Sequence, residues 1–518
     1  MILTLLLLCA CSDSTGPTAS DSGSTDTGGT TGSTDTAPPT DTQDTGGTED
    51  TQDTRDTEDT QDTGDTQDTQ DTQDTGDTAE PVASDGAWLT GGVDASGGSF
   101  ALAAADLDGD GYPEVVAADR SSPTSAGGSG RVYVLQGPFV ADATTDDAVA
   151  VFEAGPEAGF GIAVDAGSDL TGDGMPDVLI GSEVHRDQPG AAYVFAGPFT
   201  GTSTPAAATA SLVGGDSDGR AGFAVSMVGD ATGDGIPDAL VSSPYSDATG
   251  KYHGEVGLMP GPLSGTYSLE DDVVLRVHGH YGESYWGIFG LAGYDLGGQG
   301  DVDGDGVNDL LIGSMTVTGD ELYSGEAYVF LGGSSSGDVS VSDADLLLQS
   351  EERDYIGSSV TFLGDVDGDG HGDLAVGSGD EYYGNGAGAW VFLGGTTGSR
   401  SAASAYCSLE LESGYPEFMV VVGRVGDIDG DGLADVGVGV DGRAYGGDPE
   451  ADGRAYLVSG LSTGAHSLAD ASEILDGRTH EGRFGRSLLA LQDGDGDGQE
   501  EVLIGAEGEA FLSWSATR

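Results

Sequence analysis

The sequence predicts an all-β fold, a seven-bladed β-propeller of four-stranded antiparallel blades, preceded by a disordered tether. Three observations predict it. A nine-residue acidic string recurs seven times, at 106–114, 169–177, 230–238, 301–309, 365–373, 427–435 and 493–501, with starts 61–71 residues apart. Between the copies the apolar runs are short, rich in Val, Ile, Leu and Tyr, and bounded by Gly, Asp and Ser, which is the pattern of strands. Residues 12–84, by contrast, repeat Asp and Thr with almost no apolar side chain. Such a segment cannot bury enough surface to offset its ordering entropy.

The N-terminus, MILTLLLLCACSDS, carries an apolar run too short to span a bilayer and long enough for the core of a signal peptide. It ends in Leu8-Cys9-Ala10-Cys11, which resembles a bacterial lipobox, so residues 1–11 are expected to be a lipoprotein-type signal with Cys11 as the acylated residue. Ser12 after that cysteine resembles outer-membrane sorting. The expected location is therefore outside the cytoplasm, as an outer-membrane or cell-surface lipoprotein on a tether of residues 12–84. The chain has 90 acidic and 16 basic residues, a formal net charge of −74. That balance leaves nothing to neutralise phosphates, so nucleic acid is excluded as a partner and the membrane is reached through the lipid anchor only. Beyond residue 84 the only cysteine is Cys407, in AYCSLEL, which reads as a small buried hydrophobe.

From residue 85 to 518 each unit follows one script. An aromatic–small pair comes first, as in Phe160-Gly161, Phe223-Ala224, Phe289-Gly290 and Phe484-Gly485. After the acidic string comes a run such as VLIGS (178–182), LLIGS (310–314) or VLIGA (502–506). A third run carries an aromatic residue, Tyr133, Tyr193, Tyr328, Trp390 or Tyr456, expected in the core between blades. A less regular fourth run precedes the next unit, giving four strands per blade. The seventh unit ends after its third run, EAFLSWS (509–515). An open blade would expose an edge, so the segment near 86–92, beginning Gly86-Ala87-Trp88-Leu89-Thr90, is expected to supply the missing outer strand and close the ring.

Within the acidic string, positions 1, 3 and 5 carry side-chain oxygen in every copy, position 9 is always Asp or Glu, and positions 4 and 6 are glycine. Alternating oxygens with glycine at position 6 are what a calcium loop uses, with a backbone carbonyl at position 7. The candidate ligands are Asp106, Asp108, Asp110, Tyr112 and Glu114 in the first loop, and Asp169, Thr171, Asp173, Met175 and Asp177 in the second. The third has Asp230, Thr232, Asp234, Ile236 and Asp238; the fourth has Asp301, Asp303, Asp305, Val307 and Asp309. The fifth has Asp365, Asp367, Asp369, His371 and Asp373, the sixth Asp427, Asp429, Asp431, Leu433 and Asp435, and the seventh Asp493, Asp495, Asp497, Gln499 and Glu501. An all-oxygen set favours Ca²⁺ over zinc, and up to seven ions are expected. Solvated Asp-Gly turns would account for the Asp-Gly pairs, yet not for a 1-3-5-9 spacing repeated seven times. The two Thr loops carry one charge fewer and are the weaker sites.

The Phe-Gly pair, the D-x-D-G-D-G-x-x-D loop and the Gly-Ser or Gly-Ala that follows resemble FG-GAP repeats, the units of the integrin α-subunit propeller. The resemblance covers residues 86–518. It implies calcium in the loops, closure by an N-terminal strand, and adhesion or ligand recognition on the face opposite the loops. Asp338-Val339-Ser340-Val341-Ser342 spells the D-x-S-x-S of inserted adhesion domains but stands in a short connection, so it reads as a chance match.

No HExxH, CxxC, phosphate-loop or GxSxG motif is present, and no enzymatic activity is expected. The expected function is an exported, tethered, calcium-stabilised adhesion or ligand-binding module, monomeric, with a protein or carbohydrate ligand. The alternative is an extracellular hydrolase or polysaccharide lyase built on a calcium-loaded propeller. It requires His280, Tyr281 and Tyr285 to converge with Arg276 in a pocket. A structural coat component is a third reading, and a second metal site at His278 and His280 is weighed below a solvated pair.

Overall fold

The computed structural model describes residues 86–513 except 92–99, 126–127, 156–158, 184–188, 216–218, 248–252, 281–290, 316–323, 335, 351–354, 380–387, 412–418, 441–452, 478–482, 497–499 and 507–508. The signal-type segment, Cys11 and the Asp/Thr tether lie outside the described residues.

Among the described residues the chain forms seven sheets and, between strands, single turns of 3-10 helix. Blade 4 shows the plan, with an inner strand Ala292–Leu296, then Leu310–Ser314, Glu326–Phe330 and the outer strand Leu346–Gln349. All three pairings are antiparallel. Blade 7 combines Ser487–Gln492, Glu500–Gly505 and Glu509–Ser513 with the N-terminal Gly86–Thr90. Trp88 stands opposite Phe511 in that antiparallel pair, and the expected closure is realised. Successive inner strands pack on one another except between blades 3 and 4, where Ala292–Leu296 packs on Asp238–Ser243 and Glu255–Met259 of blade 3, and Ser487–Gln492 packs on Phe100–Ala105, so the ring is complete. The protein is a seven-bladed β-propeller.

The core is divided into seven apolar clusters, one in each seam between successive blades. Blades 3 and 4 share Leu258, Val277, Ile312, Tyr328 and Phe330; blades 6 and 7 share Trp88, Leu457, Phe484 and Phe511. A second strand therefore faces apolar neighbours on both sides, which is why Leu310–Ser314 and Asp177–Ser182 are buried at every position instead of alternating. The third-run aromatics behave as expected in part. Tyr133, Tyr328 and Tyr456 are buried, while Tyr193 and Trp390 are half-buried against the seam clusters. Cys407 is buried in the seam between blades 5 and 6.

Two details depart from the sequence reading. The structural partner of Phe160-Gly161 in blade 3 is Ala221-Gly222, not Phe223-Ala224: Gly222 has a φ of 80° and its N–H donates to the Ser242 carbonyl, as that of Gly485 does to Gly505. Sequence pattern followed the aromatic ring, whereas the backbone selects the glycine. The other departure is a fifth strand. The link between the third and outer strands of each of blades 1 to 6 lies parallel to the outer strand of the preceding blade: Ala143–Thr144 on blade 7, Gly201–Ser203 on blade 1, and so on round to Gly464–Ser467 on blade 5. These links cover edges that would otherwise offer unpaired backbone groups.

Candidate metal centres

Every acidic loop joins an inner strand to the second strand of the same blade, so the seven loops lie on one face. In the fourth loop the Asp301 carboxylate is the pivot. It accepts from the backbone N–H groups of Gly304 (2.7 Å) and Asp305 (3.2 Å) through Oδ1 and of Gly306 (2.8 Å) through Oδ2. The chain can wrap that closely because Gly304 and Gly306 hold φ values of 73° and 88°, the left-handed region that disfavours side chains. The first, second, third, fifth and sixth loops are folded the same way around Asp106, Asp169, Asp230, Asp365 and Asp427.

Position 9 sits at the start of the second strand and is buried. Asp309 accepts from Val302 N (2.6 Å) and Gly332 N (2.8 Å), and Asp373 from Val366 N (2.8 Å) and Gly394 N (2.7 Å). Each carboxylate thus ties the loop to the far end of the third strand. Burial pushes the Glu114 and Asp435 carboxyls up to about 7 and those of Asp177, Asp309 and Asp373 up to about 6, with neighbouring loop carboxylates adding to the rise. Asp238 is raised as well, by burial. A buried carboxylate facing other carboxylates is a group in need of a cation.

Three carboxylates gather with oxygens within 4.8 Å of one another in five loops: Asp106, Asp108 and Glu114; Asp169, Asp173 and Asp177; Asp301, Asp303 and Asp309; Asp365, Asp367 and Asp373; Asp427, Asp429 and Asp435. Positions 1, 3 and 9 thus converge in four of them. Position 5 is outside those four groups: Asp110, Asp305, Asp369 and Asp431 accept through Oδ1 from the backbone N–H of the residue at position 7, Tyr112, Val307, His371 and Leu433. In the second loop Asp173 stands in, because Thr171 offers a hydroxyl and donates it to Asp177 (3.2 Å). The third loop, with Thr232, brings no three carboxylates together among the described residues, though Asp234 accepts from Ile236 as its counterparts do. In the seventh, Asp497 and Gln499 lie outside the described residues, while buried Glu501 accepts from Gly494 N.

These residues fit a hard dication. The donors are all oxygen, and Glu114 Oε1 is buried within the first group without a hydrogen-bond partner among the described residues. The loops are also joined to each other. The position-8 N–H of one loop donates to the position-1 carbonyl of the loop before it: Asn308 to Asp230 (2.9 Å), Gly372 to Asp301 (2.8 Å) and Ala434 to Asp365 (2.8 Å). Sequence reasoning missed this arc, since position 8 takes part through its backbone alone.

The region singled out for an enzymatic pocket is organised differently. His278 Nδ1 lies 3.2 Å from Glu255, His280 Nε2 lies 3.3 Å from Glu326, and Arg276 lies 3.4 Å from Asp338. The two histidines thus address different carboxylates in different blades. Tyr281 and Tyr285 lie outside the described residues. The D-x-S-x-S segment forms the edge strand Gly337–Ser340 and a 3-10 turn, with the Ser340 hydroxyl accepting from Ser342 N.

On the face opposite the loops, blades 1 to 4 carry one group of cations and aromatics. Arg120 and Arg220 both reach Glu183 at 3.5 Å, and the Arg220 guanidinium lies 4.1 Å from the centre of the Tyr245 ring. Phe223 packs against both Tyr245 and Tyr294.

A family model described as FG-GAP repeat matches residues 100–135 and 356–392. Integrin alpha-PS5 of Drosophila melanogaster is 29% identical over 181 residues, 34% of this chain and 17% of that protein. Integrin alpha-7 of Homo sapiens is 33% identical over 171 residues, 31% of this chain and 12% of that protein. Integrin alpha-5 of Xenopus laevis is 30% identical over 189 residues, 34% of this chain and 17% of that protein. The matched part is thus a small share of each relative's length. Repeat, relatives and ring agree, and the chain is an integrin-α-like FG-GAP propeller.

Proposed function

We propose that the protein is an adhesion or ligand-binding module held outside the cell, whose calcium ions are structural. The observation that carries this is the set of five three-carboxylate groups, each closed by a buried position-9 acid, which in the fourth and fifth loops is bonded to the end of its blade's third strand. A cation there neutralises the repulsion and locks the hairpin between first and second strands. Calcium fills up to seven loops in this reading, including those of Thr232 and Asp497. Export, acylation at Cys11 and display on residues 12–84 complete it, with the monomer as the working unit.

The ligand face in this reading is the one opposite the loops, around Arg120, Arg220, Tyr245 and Phe223. Arginine and aromatic side chains are the residue types that dominate binding energies at protein interfaces, which favours a protein ligand over a carbohydrate. The direct test has two parts. Metal per chain is determined on the full-length protein after dialysis against calcium, with five to seven equivalents expected; zero or one would overturn the metal reading. Beads coated with the protein are then compared for retention on gelatin and on alginate surfaces. Retention on gelatin that is lost in Arg220→Ala/Tyr245→Ala supports the face. Retention unchanged by that variant refutes it.

A further inference from the structure

The fifth-strand rule identifies one sheet edge whose cover has not been placed. Blades 1 to 5 and blade 7 each carry five strands, whereas the sheet of blade 6 has four among the described residues. Its outer strand, Glu473–Asp476, is the edge in question, and Ile474 on it is 39% exposed. By the rule, its cover must come from the link between the third and outer strands of blade 7. Blade 7 takes its outer strand from the N-terminal segment, so the residues just before Gly86 occupy that place in the script.

The spacing names them. Take in each blade the outer-strand residue opposite the third-strand aromatic position. Ser211, Leu347 and Ser408 hold that place in blades 2, 4 and 5, and Ile474 in blade 6. The fifth-strand residue from the same blade that lies on the preceding blade is Thr202, Asp338, Ser399 and Ala465, nine residues earlier in each of these four blades, whereas in blade 3 Thr266 precedes Arg276 by ten. In blade 7 the outer residue is Trp88, and nine residues earlier is Ala79. The turn agrees. Thr145, Val341 and Leu468, six residues before the same point in blades 1, 4 and 6, are the buried residues of their 3-10 turns. Six before Trp88 is Val82, an apolar residue directly after a run with almost none.

We propose that residues 78–81 form a short parallel strand on the Glu473–Asp476 edge of blade 6, with Ala79 opposite Ile474 and Val82 buried beneath the turn that follows. The chemistry suits the position. Pro81 ends the strand, where a missing N–H costs no ladder bond, and it holds Glu80 extended. The ring then begins at Thr78 instead of residue 85, and its last free edge is closed against strand addition by another chain.

The test uses the full-length protein. Amide exchange over 473–476 is expected to be as slow as over 346–349 and 407–410. Replacing residues 78–82 by Gly-Ser-Gly-Ser-Gly should speed it at least tenfold there and leave 346–349 unchanged. In a second measurement, Ala79→Cys with Ile474→Cys is expected to form a disulfide on mild oxidation, because facing strand residues fall within reach of one. The control Ala79→Cys with Leu347→Cys should form none. Fast exchange in the unaltered protein, protection that survives the replacement or disappears on dilution, or absence of the cross-link between positions 79 and 474 would each overturn the proposal. None of these readouts depends on calcium or on a ligand.

Discussion

The two carboxylates at positions 3 and 9 of the fifth loop separate metal binding from folding. Asp367 is exposed and accepts a single 3.2 Å bond from Asp369 N, which Asp365 also receives. Asp367→Asn keeps an acceptor there, so in metal-free protein the cost should be under about 0.5 kcal/mol. In calcium it loses a charged ligand. At tenfold excess over the dissociation constant a site stabilises the fold by about 1.4 kcal/mol, and that amount should disappear. Asp373→Ala is different. It strands the N–H groups of Val366 and Gly394, now bonded at 2.8 and 2.7 Å, beside a side chain that is fully buried. Two orphaned donors cost about 2–6 kcal/mol with or without metal. The assay is thermal unfolding in about 10 mM calcium, tenfold above a millimolar site, and in chelator, with bound metal counted alongside. For a ring of this size each kcal/mol moves Tm by on the order of 1–2 °C. Asp367→Asn should therefore lower Tm by about 1–3 °C in calcium, with one equivalent of metal lost, and by less than about 1 °C in chelator. An equal shift in both conditions, or an unchanged metal count, would show that the loop is a solvated turn and refute the reasoning.

The backbone bonds from Asn308 to Asp230, Gly372 to Asp301 and Ala434 to Asp365 connect neighbouring loops, so their sites should fill cooperatively. Asp303→Asn is expected to weaken calcium at the fifth loop more than at the first, read by titration of the remaining sites; equal affinities throughout would count against it. A pH effect follows from Asp165 and Asp295, whose carboxyls burial pushes up to about 6 while they accept from Met227 N (2.7 Å) and Val360 N (2.8 Å) of the next blade. Their folded pKa lies above the unfolded value, so the folded state holds protons that the unfolded chain has released, and this contribution is lost as pH rises through about 6. Calcium-saturated wild type should lose Tm relative to Asp165→Asn/Asp295→Asn between pH 5 and 7, and a gap that moves the other way would exclude the assignment. In the seam between blades 4 and 5, a Cβ on Gly313 would collide with the Gly357 carbonyl oxygen. Gly313→Ala should cost about 1–3 kcal/mol by overpacking, measured by denaturant unfolding, whereas Gly306→Ala, with open space around it, tests the φ of 88° alone.

The ring was legible because it is written seven times in a form that survives substitution: an acidic loop, then a run such as Leu310-Leu311-Ile312 whose burial on both faces removes any alternation. Closure was legible because a blade lacking one strand must find it, and Trp88 and Leu89 are large apolar residues placed to do so. What sequence did not reveal has a common physical character, for it is carried by backbone or by another blade. The glycine of LLIGS looks like a turn former but is small because Gly357 of the next blade leaves no room for a Cβ. Asp165, inside an apolar strand, reads as a stray charge until Met227 N of the adjacent blade is seen to need an acceptor. Position 5 carries a task that sequence did not reveal: in six loops its aspartate accepts the loop's own N–H at position 7 through Oδ1, since a side chain two residues from a free donor satisfies it at little entropic cost. The fifth strands show the same limit most clearly. Segments such as Gly-Asp-Val-Ser (337–340) have no apolar alternation, because they contribute mainly backbone hydrogen bonds to a neighbour's edge. Only when the fifth strands of blades 2, 4, 5 and 6 fall at one register does the sequence before Gly86 acquire a place in the ring.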